Sequence, residues 1–143
     1  SNSKGGVVLT CMFATEELGI LFGLEYGLSD KIAVSGRIGL DDKEFSKLVV
    51  KYEVSQSFAI VGGVFEYGID SEPYFGINGS VAFDRDFSGI LEAGVIMADD
   101  TEVVFEAGIK YNVNKQIDIR GGVLGSTFEG DETAFELGVG YKF

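Results

Sequence analysis

Period-two alternation runs through this chain from end to end: large apolar residues occupy every second position, and small or charged residues fill the positions between. Successive side chains of a β-strand point to opposite faces, so the pattern reads as a series of strands, each with one apolar face. Ten such segments are expected, at Gly6–Ala14, Gly19–Leu28, Lys31–Leu40, Lys47–Val54, Phe58–Gly68, Tyr74–Phe83, Gly89–Ala98, Val103–Val113, Ile117–Gly125 and Ala134–Phe143. In the second, Ile20, Phe22, Leu24, Tyr26 and Leu28 oppose Leu21, Gly23, Glu25 and Gly27. In the last, Phe135, Leu137, Val139, Tyr141 and Phe143 oppose Glu136, Gly138, Gly140 and Lys142. The first and fifth segments are apolar on both faces and leave their orientation open.

The connections fall into two alternating sets, as consecutive antiparallel strands require. One set is tight and nearly neutral: Ser29-Asp30, Ser55-Gln56-Ser57, Asp84 to Asp86, and Asn114-Lys115-Gln116. The other is acidic: Glu16-Glu17; Asp41, Asp42, Lys43 and Glu44; Asp70 and Glu72; Asp99, Asp100 and Glu102; Glu129, Asp131 and Glu132. This second set carries the whole formal charge of −12, so the excess acid is expected at one end of the molecule. A chain this acidic is not built to bind phosphate backbones, and nucleic acid is excluded as a partner. At 143 residues without a linker-like stretch, residues 1–143 are expected to form a single barrel domain.

Which face points inward decides the class of protein. An apolar interior would crowd all the large side chains into one core and leave an excess of Gly facing water, where it weakens strands without compensation. A small and charged interior lets Gly, Ala and Ser make room for long ionic side chains inside a narrow barrel, while the bulky residues meet lipid. The inward charges are then Glu25, Glu53, Glu66, Glu92, Glu106, Asp118 and Glu136 against Arg37, Lys47, Lys51, Lys110, Arg120 and Lys142. Such near-balance is what buried charges need, because an unpaired one costs several kcal/mol. Segments of about ten residues, tilted near 45°, are long enough to cross a bilayer core. Tyr26, Tyr52, Tyr111 and Tyr141 sit on the outer face near the tight turns, where an interfacial aromatic girdle belongs. The expected fold is therefore all-β: a closed antiparallel up-and-down transmembrane barrel of about ten strands.

The final stretch, ELGVGYKF at residues 136–143, resembles the C-terminal insertion signal of bacterial outer-membrane β-barrels. The resemblance implies an even strand number, tight turns on the periplasmic side, acidic loops outside, and location in the bacterial outer membrane. It also implies that the barrel-assembly machinery reads Phe135, Leu137, Val139, Tyr141 and Phe143 during insertion, with outer-membrane lipid as the lasting partner.

With no His and a single Cys, the chain offers no Ser–His or Cys–His pair, and neither an enzyme nor a cofactor is expected. A narrow passive pore for small solutes or ions is the leading reading, because ten strands with many inward Gly leave more room than the eight that side chains just fill. A structural or surface protein without transport stands beside it. Its acidic loops would present hard oxygen ligands to divalent cations, although their spacing matches no calcium-loop motif. The third reading, a soluble barrel holding an apolar ligand, requires the opposite inside-out assignment.

Overall fold

One side-chain device builds all four tight connections. In the computed structural model, which describes residues 5–15, 19–39, 45–67, 70–126 and 133–143, Ser29 Oγ accepts hydrogen bonds from the backbone N–H groups of Lys31 and Ile32. Asp84 Oδ1 accepts from Asp86 and Phe87 at 2.8 and 2.9 Å, and Asn114 Oδ1 accepts from Gln116 and Ile117. Ser55 Oγ accepts from Ser57 at 3.4 Å. In each turn the amides of the capping residue and of its predecessor donate to the carbonyl of the apolar residue that opens the next strand, as Leu28 and Ser29 do to Ile32. The four turns thus share an apolar–(Ser, Asp or Asn)–x–x–apolar sequence. Only a short polar side chain reaches its own backbone two and three residues on.

These turns join strands β1 (Val7–Ala14), β2 (Gly19–Gly27), β3 (Ile32–Gly39), β4 (Phe45–Glu53), β5 (Phe58–Tyr67), β6 (Asp70–Ala82), β7 (Phe87–Met97), β8 (Thr101–Asn112), β9 (Ile117–Ser126) and β10 (Thr133–Lys142). Each strand pairs antiparallel with its sequence neighbours, and β1 pairs with β10 from Val8↔Lys142 to Ala14↔Glu136 to close the barrel. Carrying one position around the ring through the ten registers returns it to β1 displaced by about 12 residues. That stagger implies a strand tilt of about 40° and a backbone radius of about 10 Å. A ten-residue strand so tilted rises about 25 Å, the height of a barrel's apolar band.

The strands run past the alternating segments where flanking residues keep pairing beyond the apolar band. The largest extension is in β6, which starts at Asp70 rather than at Tyr74. The stretch from Asp70 to Pro73 pairs with β5 alone, because pairing to β7 begins at Tyr74↔Ile96. Pro73, lacking an N–H, is therefore placed where one side of the ladder is open.

The two faces part as the ionic-inside assignment requires. Among the described residues, 32 large hydrophobic side chains are exposed, whereas 10 hydrophobic ones are buried. Leu137 and Phe135 are 65% and 64% exposed on the outer wall. A soluble protein does not present so continuous an apolar surface to water, and the soluble-barrel reading fails with it. At the tight-turn end of the outer face Phe87 packs on Tyr111 at 4.7 Å between ring centroids and Tyr141 on Phe143 at 4.9 Å.

Glu66 departs from the expected partition. It shares the parity of Ile60 and Val64, is exposed on the outer wall near the acidic-loop end, and accepts a hydrogen bond from Ser46 Oγ at 3.0 Å. Its cross-strand partners on both sides are serines, Ser46 and Ser71, one residue from the end of β5, so the carboxylate has polar neighbours there. Of the acidic connections, residues 16, 17, 41–44, 129, 131 and 132 lie outside the described residues.

The Asp84 carboxylate, fully exposed in its turn, is held below the usual aspartate range by the amides of Asp86 and Phe87. A depressed folded-state value adds stability above the unfolded value and loses it as pH falls through the folded one. A carboxyl-detected NMR titration should place the Asp84 midpoint below that of an unstructured aspartate, with the turn loosening only below about pH 4; an ordinary midpoint would show that the cap does not form.

Candidate functional site in the barrel lumen

The inward positions of the ten strands converge on a bore whose middle is crossed by charge. Arg37 on β3 and Lys47 on β4 are directly paired across the ladder, and so are Glu106 on β8 and Glu92 on β7. Like charges at directly opposed positions repel, so neither pair is stable alone. The barrel sets the two pairs face to face. Arg37 Nη1 donates to Glu106 Oε2 at 2.8 Å and Nη2 to Oε1 at 3.4 Å, while Lys47 Nζ donates to Glu92 Oε2. In a ring of ten, β3 and β8 are five positions apart, so the Arg37–Glu106 bridge spans the bore from wall to opposite wall.

Neutral donors complete the anionic side. Tyr74 Oη donates to Glu92 Oε2 at 2.8 Å, and Asn78 Nδ2 donates to Glu92 Oε1 at 3.2 Å. The Tyr74 ring lies over β7, where a Cβ at Gly94 would stand 2.6 Å from Tyr74 Cζ, so glycine there is what admits the ring. Lys47 Nζ sits 4.9 Å from the centroid of the same ring, a cation–π contact. Glu136 on β10 is 8% exposed and lines a small space with Met12, Arg37 and Glu106; its Oε2 has no hydrogen-bond partner.

Above this ionic layer, toward the acidic connections, the lumen is filled by apolar side chains. Phe65, Tyr74 and Ile96 pack there in one cluster with Val49 and Val61, which reach down past Lys47 to line the cavity wall, and inward-facing Met12, Leu21 and Ala134 are buried on the other wall. Ile96 is 0% exposed and Leu21 1%, so no water-sized gap adjoins them. This cluster explains why β1 and β5 read as apolar on both faces. One face meets lipid and the other meets the lumenal packing.

Below the ionic layer a cavity of about 720 Å³ extends to the tight turns. Its lining includes Glu25, Arg37, Lys47, Lys51, Glu53, Glu92, Glu106, Lys110, Asp118, Arg120 and Lys142. Lys51 bridges to Glu25 at 2.8 Å and Arg120 to Asp118 at 2.7 Å. Turn residues Arg85, Asp86 and Lys115 complete the rim. Sequence reasoning did not single out Tyr74, Asn78, Arg85 or Lys115 as lumenal. Alternation within β6 offered a signal for the first two, since Tyr74 and Asn78 share the parity of Gly76 and Ser80.

The fold and its ionic, partly hollow interior define a transmembrane-type antiparallel β-barrel. The family of the outer membrane protein beta-barrel domain matches residues 14–143, and the chain belongs to that family. Among solved structures, the barrel is similar to the NanC porin (9% identity, 96% of this chain and 100% of that one, TM-score 0.57). It is also similar to the KdgM porin (13% identity, 96% and 99%, TM-score 0.55) and to a de novo designed transmembrane beta-barrel (13% identity, 99% and 98%, TM-score 0.50). At these identities the likeness is one of fold. No curated protein sequence matches the chain.

Replacing Tyr74 by Phe removes one hydrogen bond to a charged acceptor while keeping the ring over Gly94. Urea unfolding of protein refolded into lipid vesicles should show a loss of about 2 kcal/mol; an unchanged midpoint would mean that Glu92 does not depend on the phenol.

Proposed function

We propose that the protein is a narrow passive pore of the bacterial outer membrane, conducting small solutes or ions and held closed at rest by side chains in its bore. One observation carries this reading. The lumen is a charge-lined cavity of about 720 Å³ that reaches the tight turns, and the layer closing it consists of side chains. Side-chain rotamers exchange on far shorter times than a domain-sized plug is displaced. A bridge between opposite walls is also the interaction whose loss widens the bore most directly.

In planar-bilayer recordings, Arg37→Gln and Glu106→Gln should each raise conductance or open probability several-fold over the unaltered protein. Each leaves its partner uncompensated and mobile. The exchanged pair, Arg37→Glu with Glu106→Arg, should return the closed behaviour. Absence of current from all of these proteins would remove the pore. The apolar packing around Ile96 and Leu21 favours, as a second reading, a structural outer-membrane barrel without transport, which that same silence would support.

We also propose that Phe135, Leu137, Val139, Tyr141 and Phe143 serve as the insertion signal for the barrel-assembly machinery, with outer-membrane lipid as the final partner. The support is placement: these side chains form one exposed row along β10 and the residue that follows it, on the strand that closes against β1. Phe143→Ser should lower the heat-modifiable, membrane-inserted fraction in cells several-fold while leaving refolding into detergent intact; normal insertion would refute the assignment.

A further inference from the structure

The lumen sorts charge by sign. Among the described residues, the main cavity is lined by eight of the chain's 11 Lys and Arg residues but by only six of its 23 Asp and Glu residues. A protein of net charge −12 thus encloses a cavity in which cations outnumber anions. The excess is local. In mid-bore, Arg37 and Lys47 are matched by Glu106 and Glu92. Nearer the tight turns, Lys110 and Arg120 are direct cross-strand partners on β8 and β9. Lys142 joins them from β10, where its amide donates to the carbonyl of Gln116 at 2.7 Å.

Of the four carboxylates that line this half of the cavity, two are held by other cations, one stands on a distant strand, and Asp86 sits at the rim in the turn before β7. Asp118 takes Arg120 Nε and Nη2 at 2.7 and 3.2 Å, Glu25 takes Lys51, and Glu53 stands on β4, five positions around the ring from β9. Lys110 and Lys142 form no ion pair with a described carboxylate. Two such ammonium groups, confined in one cavity beside a neutralised Arg–Asp pair, complement a ligand with two negative charges. The cavity volume falls in the range that small organic ligands occupy. At the tight-turn rim Arg85 and Lys115 outweigh Asp86 by one positive charge. At the other mouth Asp99 and Asp100 occupy the turn between β7 and β8, so an anion is drawn in from the tight-turn side and repelled from the opposite one.

We propose that the tight-turn half of the lumen is a binding site for small organic dianions, a dicarboxylate or a phosphate ester, held by Lys110 and Lys142 with Arg120 beside them. The site stands whether or not the bore conducts, because binding requires only entry from one end.

Calorimetric titration of succinate into the folded barrel in uncharged detergent at low ionic strength tests it. The expected result is saturable binding that weakens with added salt and falls at least tenfold in the Lys110→Gln/Lys142→Gln double variant. Lys31→Gln, in a turn whose lysine does not line the cavity, should bind as the unaltered protein does. Amide NMR on the unaltered protein gives a readout that needs no variant: succinate should shift Asn112 and Gly140, which lie in the inward rows beside the two lysines. No saturable heat, undiminished binding by a folded double variant, or shifts confined to the exposed turns would each overturn the site. Bilayer recordings on the same preparation separate this from the pore. Current without succinate binding removes the dianion site and leaves the pore, and binding without current does the reverse.

Discussion

Every backbone N–H and C=O that meets hydrocarbon must find its partner within the protein, and the pairing of β1 with β10 is what satisfies that demand here. Closure leaves no edge, and it couples strand number, stagger and radius into one geometry. Ten strands at the observed registers give a tube too wide for glycine and alanine walls to meet in the middle. The interior is therefore a filling problem set by the backbone, and the side chains of the lumen are its solution.

Two kinds of filling divide the bore between them. At the acidic-loop end, bulky apolar residues such as Phe65, Tyr74 and Ile96 pack the lumen as they would a soluble core. In the middle, like charges are paired along each wall and opposite charges meet across the gap, so that repulsion within Arg37/Lys47 and within Glu92/Glu106 is relieved only when the two walls face each other. Neither half of that arrangement is satisfied in an open sheet. The ion pairs thus select the closed ring over flatter alternatives, and they leave the tight-turn end hollow.

Much of this was legible in the sequence, for identifiable reasons. Alternation reports the face of a residue directly, which is why strand number, barrel class and outward tyrosines could be read from it. Turn chemistry is equally local, although the shared apolar–(Ser, Asp or Asn)–x–x–apolar form of the four tight connections emerges only when their hydrogen bonds are compared. Alternation fails where both faces are apolar, as in β1 and β5, because a residue packed in the lumen looks like one facing lipid. For the same reason Glu66 on β5 read as an inward charge, although it shares the outward parity of Ile60 and Val64. The pairing of Arg37 with Glu106 lay furthest from reach. Which residues meet across a bore depends on the stagger accumulated over many registers, and a single-residue change in any one of them would send Arg37 to a different partner.

The four capped turns bear on how such a chain assembles. Each ties together two strands adjacent in sequence, so β2–β3, β4–β5, β6–β7 and β8–β9 are hairpins whose bends are specified by five consecutive residues. Hairpins of this kind form within about 1–10 µs, whereas contacts between distant parts of a chain wait on the entropy of closing long loops. The seam between β1 and β10 joins the two most distant strands of all. The molecule is thus poised to reach the bilayer as a string of preformed ribbons with one late zippering step, and until that step is complete its two terminal strands present unpaired edges to one another and to any other sheet nearby.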